Sequence, residues 1–176
     1  MSELKKYVDD RLGGESWNAV LLEAGLGGRL FLPVGEYADA DAAAIVAAAS
    51  RLTRQEPDAI LRDFGAFIVP DLVSMYGSLL KTGWKTLDVI ECTEETIHRV
   101  VRARNPGARP PELRCERPSA DEVVIHYASV RKMCGVAKGI ALGLARHYGE
   151  AISIGEPSCM LKGQEECVIR VRLRKA

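Results

Sequence analysis

The chain has 176 residues, of which 47% are hydrophobic, enough for one globular domain with a sizeable core. Its 24 basic and 24 acidic side chains cancel and form no basic stripe, which argues against a nucleic-acid partner. Charges interrupt each apolar stretch before the roughly 20 residues of a membrane span, and the charged start MSELKKYVDDR lacks a secretory apolar core. We therefore expect a cytoplasmic protein without a membrane partner.

The N-terminal part is predicted to begin with two short amphipathic helices, at 3–12 and 15–24. Glycines then break the pattern before a short extended piece around Arg29–Val34. The next helix is rich in alanine, the strongest helix former, and runs to about Leu52. Asp39 or Asp41 is expected to be its N-cap, because a carboxylate accepts hydrogen bonds from free amides at a helix start.

Further helices are predicted before residue 105. One begins at Pro57, where a first-turn proline costs no hydrogen bond, and ends or bends near Pro70. The segment Leu72–Leu80 continues this helical layer. Another helix is expected from Thr93 to about Arg104, with Thr93 as its cap and Glu94–Glu95 in the first turn.

After Asn105–Pro111 the pattern changes to short β-prone segments around one long helix. The predicted elements are strands Glu112–Arg117 and Glu122–Tyr127, helix Lys132–Tyr148 ended by Gly149, and strands Ala151–Gly155 and Cys167–Leu173. Helices first and strands later favour an α+β fold, with an N-terminal helical layer and a four-stranded antiparallel sheet. The long helix is inserted between the two hairpins. We expect one domain over 1–176, with a helical part of about 1–105 and a sheet-and-helix part of about 106–176.

His98 is the first candidate functional residue, because it lies inside a predicted helix and histidine is a common metal ligand. Its neutral ring offers a nitrogen lone pair at physiological pH. An ordinary, partly buried histidine is the alternative interpretation.

The second candidate is the segment Tyr127-Ala128-Ser129-Val130-Arg131, at the end of a predicted strand. In an extended segment alternate side chains point the same way, so two hydroxyls and a guanidinium would form a group of donors. Such donors suit a pair of carboxylates. A polar strand end followed by a helix cap is the alternative.

Together these motifs resemble the H-NOX family, also called HNOB. The family has a Tyr-x-Ser-x-Arg motif and an axial histidine followed eight residues later by proline, and then by a proline pair. The sequence HRVVRARNPGARPP begins at His98 and has Pro106 and Pro110-Pro111 at the matching positions. The similarity continues through GVAKGIALGLARHYGE and covers nearly the whole chain, more weakly before residue 55.

The resemblance implies a role for each matched residue. His98 would be the axial ligand of haem b, and Tyr127, Ser129 and Arg131 would bind the haem propionates. Pro111 would press on the porphyrin and distort it.

The resemblance also bears on ligand choice. Oxygen-binding members are similar to one another in carrying a tyrosine where this chain has Val136. Valine has no donor for bound oxygen, which implies the branch that selects nitric oxide.

Cys134, Glu156, Cys159 and Cys167 form a second constellation. Cysteines in a chain without an export signal are more often free or metal-bound than paired. Three thiolates and a carboxylate would make a closed tetrahedral Zn²⁺ site, and buried inert cysteines beside a surface glutamate are the alternative.

A zinc-bearing subset of H-NOX proteins resembles this group, because it has four cysteines at successive spacings of 22, 3 and 8. Glu156 stands where that subset has its second cysteine. The Glu-x-x-Cys loop is also similar to the zinc loop of 4-vinyl reductase domains, which share the fold. The resemblance implies a metal site, of which a structural zinc is the simpler form.

The resulting hypothesis is a haem-based sensor and not an enzyme. It would bind nitric oxide, with CO as an alternative ligand, and signal by release of His98 to a separate protein such as a histidine kinase or a cyclic-di-nucleotide enzyme. A haem-free small-molecule or protein-binding module of the 4-vinyl reductase type is the alternative. A catalytic haem protein such as a peroxidase is disfavoured, because the sequence indicates no polar distal acid–base pair.

Overall fold

The computed structural model describes residues 1–32 and 37–174. In these ranges the helices and strands are α1 (Ser2–Leu12), α2 (Ser16–Glu23), α3 (Asp39–Thr53), α4 (Pro57–Phe67), α5 (Val69–Tyr76), α6 (Thr86–Thr93), α7 (Arg99–Arg104), β1 (Glu112–Ser119), β2 (Glu122–Ala128), α8 (Cys134–His147), β3 (Ile152–Ser158) and β4 (Cys167–Leu173). None of the helices in the described ranges is both long and apolar enough to cross a membrane.

Helices α1 to α3 pack around their own small apolar core, which also includes Ile60 of α4. The predicted caps of α3 were wrong. The N-cap position is Ala38, and the Asp41 carboxylate accepts a hydrogen bond from the Arg29 guanidinium at 2.6 Å. Residues 29–32 form no strand, and the rest of the predicted extended piece lies outside the described residues.

The helix before the sheet begins earlier than predicted. It starts at Thr86, where the Asp88 carboxylate accepts a hydrogen bond from the Lys85 amide at 3.0 Å. Thr93 is therefore not a cap, and its hydroxyl donates to the Val89 carbonyl at 2.6 Å inside the helix. A π-helical turn, Glu94–His98, joins α6 to α7. His98 is the last residue of this turn.

The four strands form one antiparallel sheet in the order β1-β2-β4-β3. One face of the sheet carries Val123, Ile125, Ile169 and Val171, which are buried in the main core together with residues of α8. The predicted α+β fold, with a long helix between the two hairpins, is confirmed.

Helices α4 and α8 pack unusually closely, because α8 presents glycines at every fourth position. A Cβ atom on Gly139 would lie 2.0 Å from the Arg62 carbonyl oxygen, and one on Gly135 would lie 2.8 Å from the Leu61 Cβ. On α4, a Cβ on Gly65 would lie 2.3 Å from the carbonyl oxygen of α8 residue Val136. This backbone contact fixes α4 against the middle of α8.

Gly139→Ala is therefore expected to destabilise the protein, although alanine is the better helix former. The added methyl meets backbone and not a flexible side chain, so the helices must separate, at a cost of about 1–3 kcal/mol. Urea unfolding measures the loss. Gly77→Ala is the matched control, because nothing lies within 4 Å of its added Cβ and its φ is −55°. Equal stability of the two variants would contradict the close packing.

Candidate functional site

A cavity of about 290 Å³ lies between α8, the segment from α6 to the π turn, and the sheet. This volume is just below the usual range of small-molecule sites, roughly 300–1,000 Å³. Its lining is mainly apolar and consists of Phe64, Ile90, Thr93, His98, Pro111, Leu113, Ile125, Tyr127, Ser129, Arg131, Met133, Val136, Ala137, Ile140, Ala141 and Leu144. The structure thus brings together all five residues for which the sequence predicts contact with one cofactor.

His98 reaches this cavity with one ring nitrogen already paired. Its Nδ1 lies 2.9 Å from Oε2 of Glu94, one helical turn earlier, and its side chain is 14% exposed. Burial alone would raise the pKa of the Glu94 carboxyl, but hydrogen bonds from His98, Arg102 and the Leu113 amide lower it below its usual value. Nε2 is left as the ring nitrogen available to a ligand.

Tyr127, Ser129 and Arg131 all line the cavity, but not as one extended segment. Strand β2 ends at Ala128, and a turn follows in which the Lys132 amide donates to the Ser129 carbonyl at 3.1 Å. The predicted alternation is therefore wrong beyond Ala128. Tyr127 is buried, and this burial raises the pKa of its hydroxyl.

Arg131 already holds a carboxylate. Its Nε donates to Oδ1 of Asp39 at 2.6 Å, and both side chains are partly exposed. An exposed ion pair of this kind contributes only about 0–1 kcal/mol. Another carboxylate could replace Asp39 at small cost, so the guanidinium is available to an anionic group at the cavity.

The wall formed by α8 is apolar. Val136, Ala137, Ile140, Ala141 and Leu144 contribute no side-chain hydrogen-bond donor to the cavity. Phe64 of α4 extends the apolar lining, and the glycine contacts described above hold α4 there. A bound diatomic ligand next to α8 would receive no hydrogen bond from its side chains.

These features fit a haem group. A porphyrin has a large apolar surface, one axial position for an imidazole nitrogen and two carboxylates, which match the apolar lining, His98 and Arg131. Neutral imidazole is a standard axial ligand of haem iron, and arginine binds carboxylates in paired geometry. Tyr127 and Ser129 add two hydroxyl donors near Arg131.

Cys134, Glu156, Cys159 and Cys167 lie together at the N-terminal end of α8. One ligand atom from each of the four lies within 4.8 Å of the others, and all three cysteines are buried. The Cys134 and Cys159 sulfurs are 3.9 Å apart, and the Met160 amide donates to the Cys167 sulfur at 3.2 Å. Burial raises the pKa of Cys134 and that of Cys167, which disfavours thiolates unless a cation is present.

The donor set fits a divalent metal ion. Oε1 of Glu156 is buried and has no hydrogen-bond partner among the described residues. A buried carboxylate oxygen without a partner is costly, and a metal ion would satisfy it. Three sulfurs and one oxygen at this separation suit tetrahedral Zn²⁺.

Sequence reasoning missed Lys138, which links this cluster to α4. The side chain is 3% exposed, and its Nζ lies 2.8 Å from Oδ1 of Asp58 and 3.0 Å from Oε2 of Glu156. A buried lysine of this kind requires such partners. Lys138 is four residues after Cys134, so both lie on one face of α8. This spacing could have identified Lys138 as a neighbour of the cluster from the sequence.

Known proteins match this chain both in sequence pattern and in fold. Residues 1–156 match the family described as Haem-NO-binding, HNOB. An H-NOX protein from S. oneidensis in the Fe(II)NO state superposes with a TM-score of 0.89 at 21% identity, covering 99% of this chain and 97% of that one. The unliganded Fe(II) H-NOX protein from K. algicida gives 0.87 at 20% identity, with 99% and 95% covered.

The NMR structure of the S. oneidensis domain in the Fe(II)CO state gives a TM-score of 0.84 at 20% identity, with 99% and 98% covered. No curated protein gives a significant match. At these identities the structural likeness establishes the fold, and the family match establishes membership.

Proposed function

Because the chain belongs to the haem-NO-binding family, we propose that it is a haem-based gas sensor in which His98 ligates haem b. The observation that carries the proposal is the cavity itself, which has both His98 and Arg131 in a mainly apolar lining. When bound, the haem supplies a ferrous iron that takes nitric oxide, with CO as a second ligand. The chain itself acts as a sensor and not as an enzyme, since the α8 wall offers no acid–base group.

Tyr127 near the end of β2, together with Ser129 and Arg131 in the following turn, would hold the cofactor's carboxylates. Arg131 would exchange its partner Asp39 for a propionate, and Tyr127 and Ser129 would donate hydrogen bonds to the same group. Pro111, which lines the cavity just before β1, would press on the porphyrin. Val136 and its apolar neighbours give bound oxygen no hydrogen bond, which favours nitric oxide.

Signalling depends on the bond between His98 and iron. If nitric oxide binding released His98, the π turn and α7 would be free to move relative to β1, and Pro111 would no longer strain the porphyrin. Such a shift requires that nitric oxide bind the two conformations with different affinity. The movement is read by a separate signalling protein in the cytoplasm, such as a histidine kinase or a cyclic-di-nucleotide enzyme. The whole of 1–176 acts as one sensor domain.

A structural Zn²⁺ is part of the proposal. Cys134, Glu156, Cys159 and Cys167 would hold it, and it would tie α8 to the loop between β3 and β4. Lys138 balances part of the negative charge of the four ligands. The metal would thus join the N-terminal end of α8 to the last hairpin of the sheet.

A visible absorption spectrum tests the function. Purified protein, reduced without oxygen, is expected to show a ferrous Soret band, and nitric oxide is expected to shift it to the position of a five-coordinate nitrosyl. His126→Ala is expected to give the same spectra as the wild type, because His126 lies outside the cavity and pairs with Glu166. A colourless protein that takes up no added hemin would favour the haem-free binding module instead.

A further inference from the structure

The Glu94 carboxylate makes three hydrogen bonds, unlike an ordinary solvent-facing glutamate on a helix. Its Oε2 is 2.9 Å from Nδ1 of His98 and accepts a hydrogen bond from the Leu113 amide at 3.2 Å. Its Oε1 accepts a hydrogen bond from the Arg102 guanidinium. One carboxylate therefore joins the candidate ligand, the next turn of the helix and the start of β1.

The contact between Glu94 and His98 spans a π-helical turn of the backbone. Glu94 and His98 are the first and last residues of the π-helical turn, and the Arg99 amide donates to the Glu94 carbonyl five residues back. π turns inserted in α-helices are rare, and those that occur often lie at functional sites. The Arg102 and Leu113 contacts hold the carboxylate in place independently of His98.

A carboxylate on the far nitrogen changes what a metal-bound imidazole can do. It fixes the tautomer with the proton on Nδ1, orients the ring and raises the basicity of the nitrogen that faces the metal. Resting on the function proposed above, we propose that Glu94 is a positioning residue that holds Nε2 of His98 toward the iron and strengthens the iron–histidine bond. Glu94 thereby sets how readily His98 is released when nitric oxide binds.

The same contact gives the release of His98 a route to the sheet. Leu113 is two residues after Pro111, and both line the cavity. Movement of the His98 ring would break its hydrogen bond to Oε2 of Glu94, the same oxygen that accepts the Leu113 amide. The link therefore couples the π turn to the first strand through a single side chain.

Resonance Raman spectroscopy of the ferrous, haem-loaded protein tests the role of Glu94. Glu94→Gln keeps the shape but removes the charge, and Glu94→Ala removes the contact. Both variants are expected to shift the iron–histidine stretching band to lower frequency, and Glu94→Ala to retain haem roughly 10- to 100-fold more weakly. Glu95→Gln is the matched control, because Glu95 is the exposed neighbour, and its band is expected to stay unchanged.

A second readout does not need haem. In the apoprotein, ¹⁵N NMR of His98 is expected to show the proton on Nδ1 in the wild type and a loss of this preference in Glu94→Ala. Far-UV circular dichroism checks that each variant is folded.

The outcomes separate the two proposals. If wild-type protein binds haem through His98 and the stretching band is the same in both Glu94 variants, the assignment of Glu94 is wrong while the sensor function stands. If the wild type takes up no haem at all, the proposed function fails and the role of Glu94 fails with it. A downward shift confined to the Glu94 variants supports both.

Discussion

His98→Ala is expected to lose haem almost completely while keeping the fold. The side chain lies at the cavity edge and is 14% exposed, so its removal opens little space in the main core. Its hydrogen-bond partner is not stranded, because Glu94 keeps the Arg102 guanidinium and the Leu113 amide. No second imidazole or thiolate is available in its place, since no other histidine or cysteine of the described residues lines the cavity.

Haem content after purification and reconstitution measures this loss, with far-UV circular dichroism as the check on folding. Added imidazole is expected to restore part of the absorption, because it fills the space left by the ring and supplies the same nitrogen. The His126→Ala variant should keep its full haem content. If His98→Ala retains haem with an unchanged spectrum and without imidazole, His98 is not the ligand.

Much of the fold follows from sequence periodicity. The glycine and proline breaks locate α1, α2 and α4 closely, and short β-prone segments locate all four strands. The start of α6 was missed because Lys85 is not a typical cap residue. The cap there is the side chain of Asp88, three residues later, which accepts the Lys85 amide hydrogen bond. Because Thr93 was predicted as the cap, the predicted helix began just before the π turn, inside the observed helical segment.

The site was predicted unevenly for a physical reason. The spacings of His98, Tyr127 and Arg131 reflect chemistry required by one group, so they are visible in the sequence as a motif. The pairing of Lys138 with Asp58 depends on the packing of α8 against α4, and that of Arg131 with Asp39 depends on where the start of α3 meets the turn after β2. Glu94 was visible as a glutamate four residues before His98, but its contact with Leu113 depends on where β1 begins.

Cys159→Ser is expected to lower both the zinc content and the stability of the protein. Cys159 is 4% exposed, with its sulfur 3.9 Å from that of Cys134 and also from that of Cys167, so a weaker ligand at this position opens a closed site. Metal binding to the folded state alone stabilises it, by about 2.7 kcal/mol when the free metal is at a hundred times its Kd. The loss is expected to approach this value.

The comparison with a chelator separates the metal from ordinary packing. In a strong chelator, the midpoint temperature of thermal unfolding of the wild type should fall to that of Cys159→Ser. The chelator should change the midpoint of the variant little. Cys92→Ser is the matched control, because Cys92 lies outside the cluster and should keep its metal and its response to chelator. A wild type that is metal-free and as stable as Cys159→Ser would leave Glu156 Oε1 buried without any partner, and the zinc assignment would be wrong.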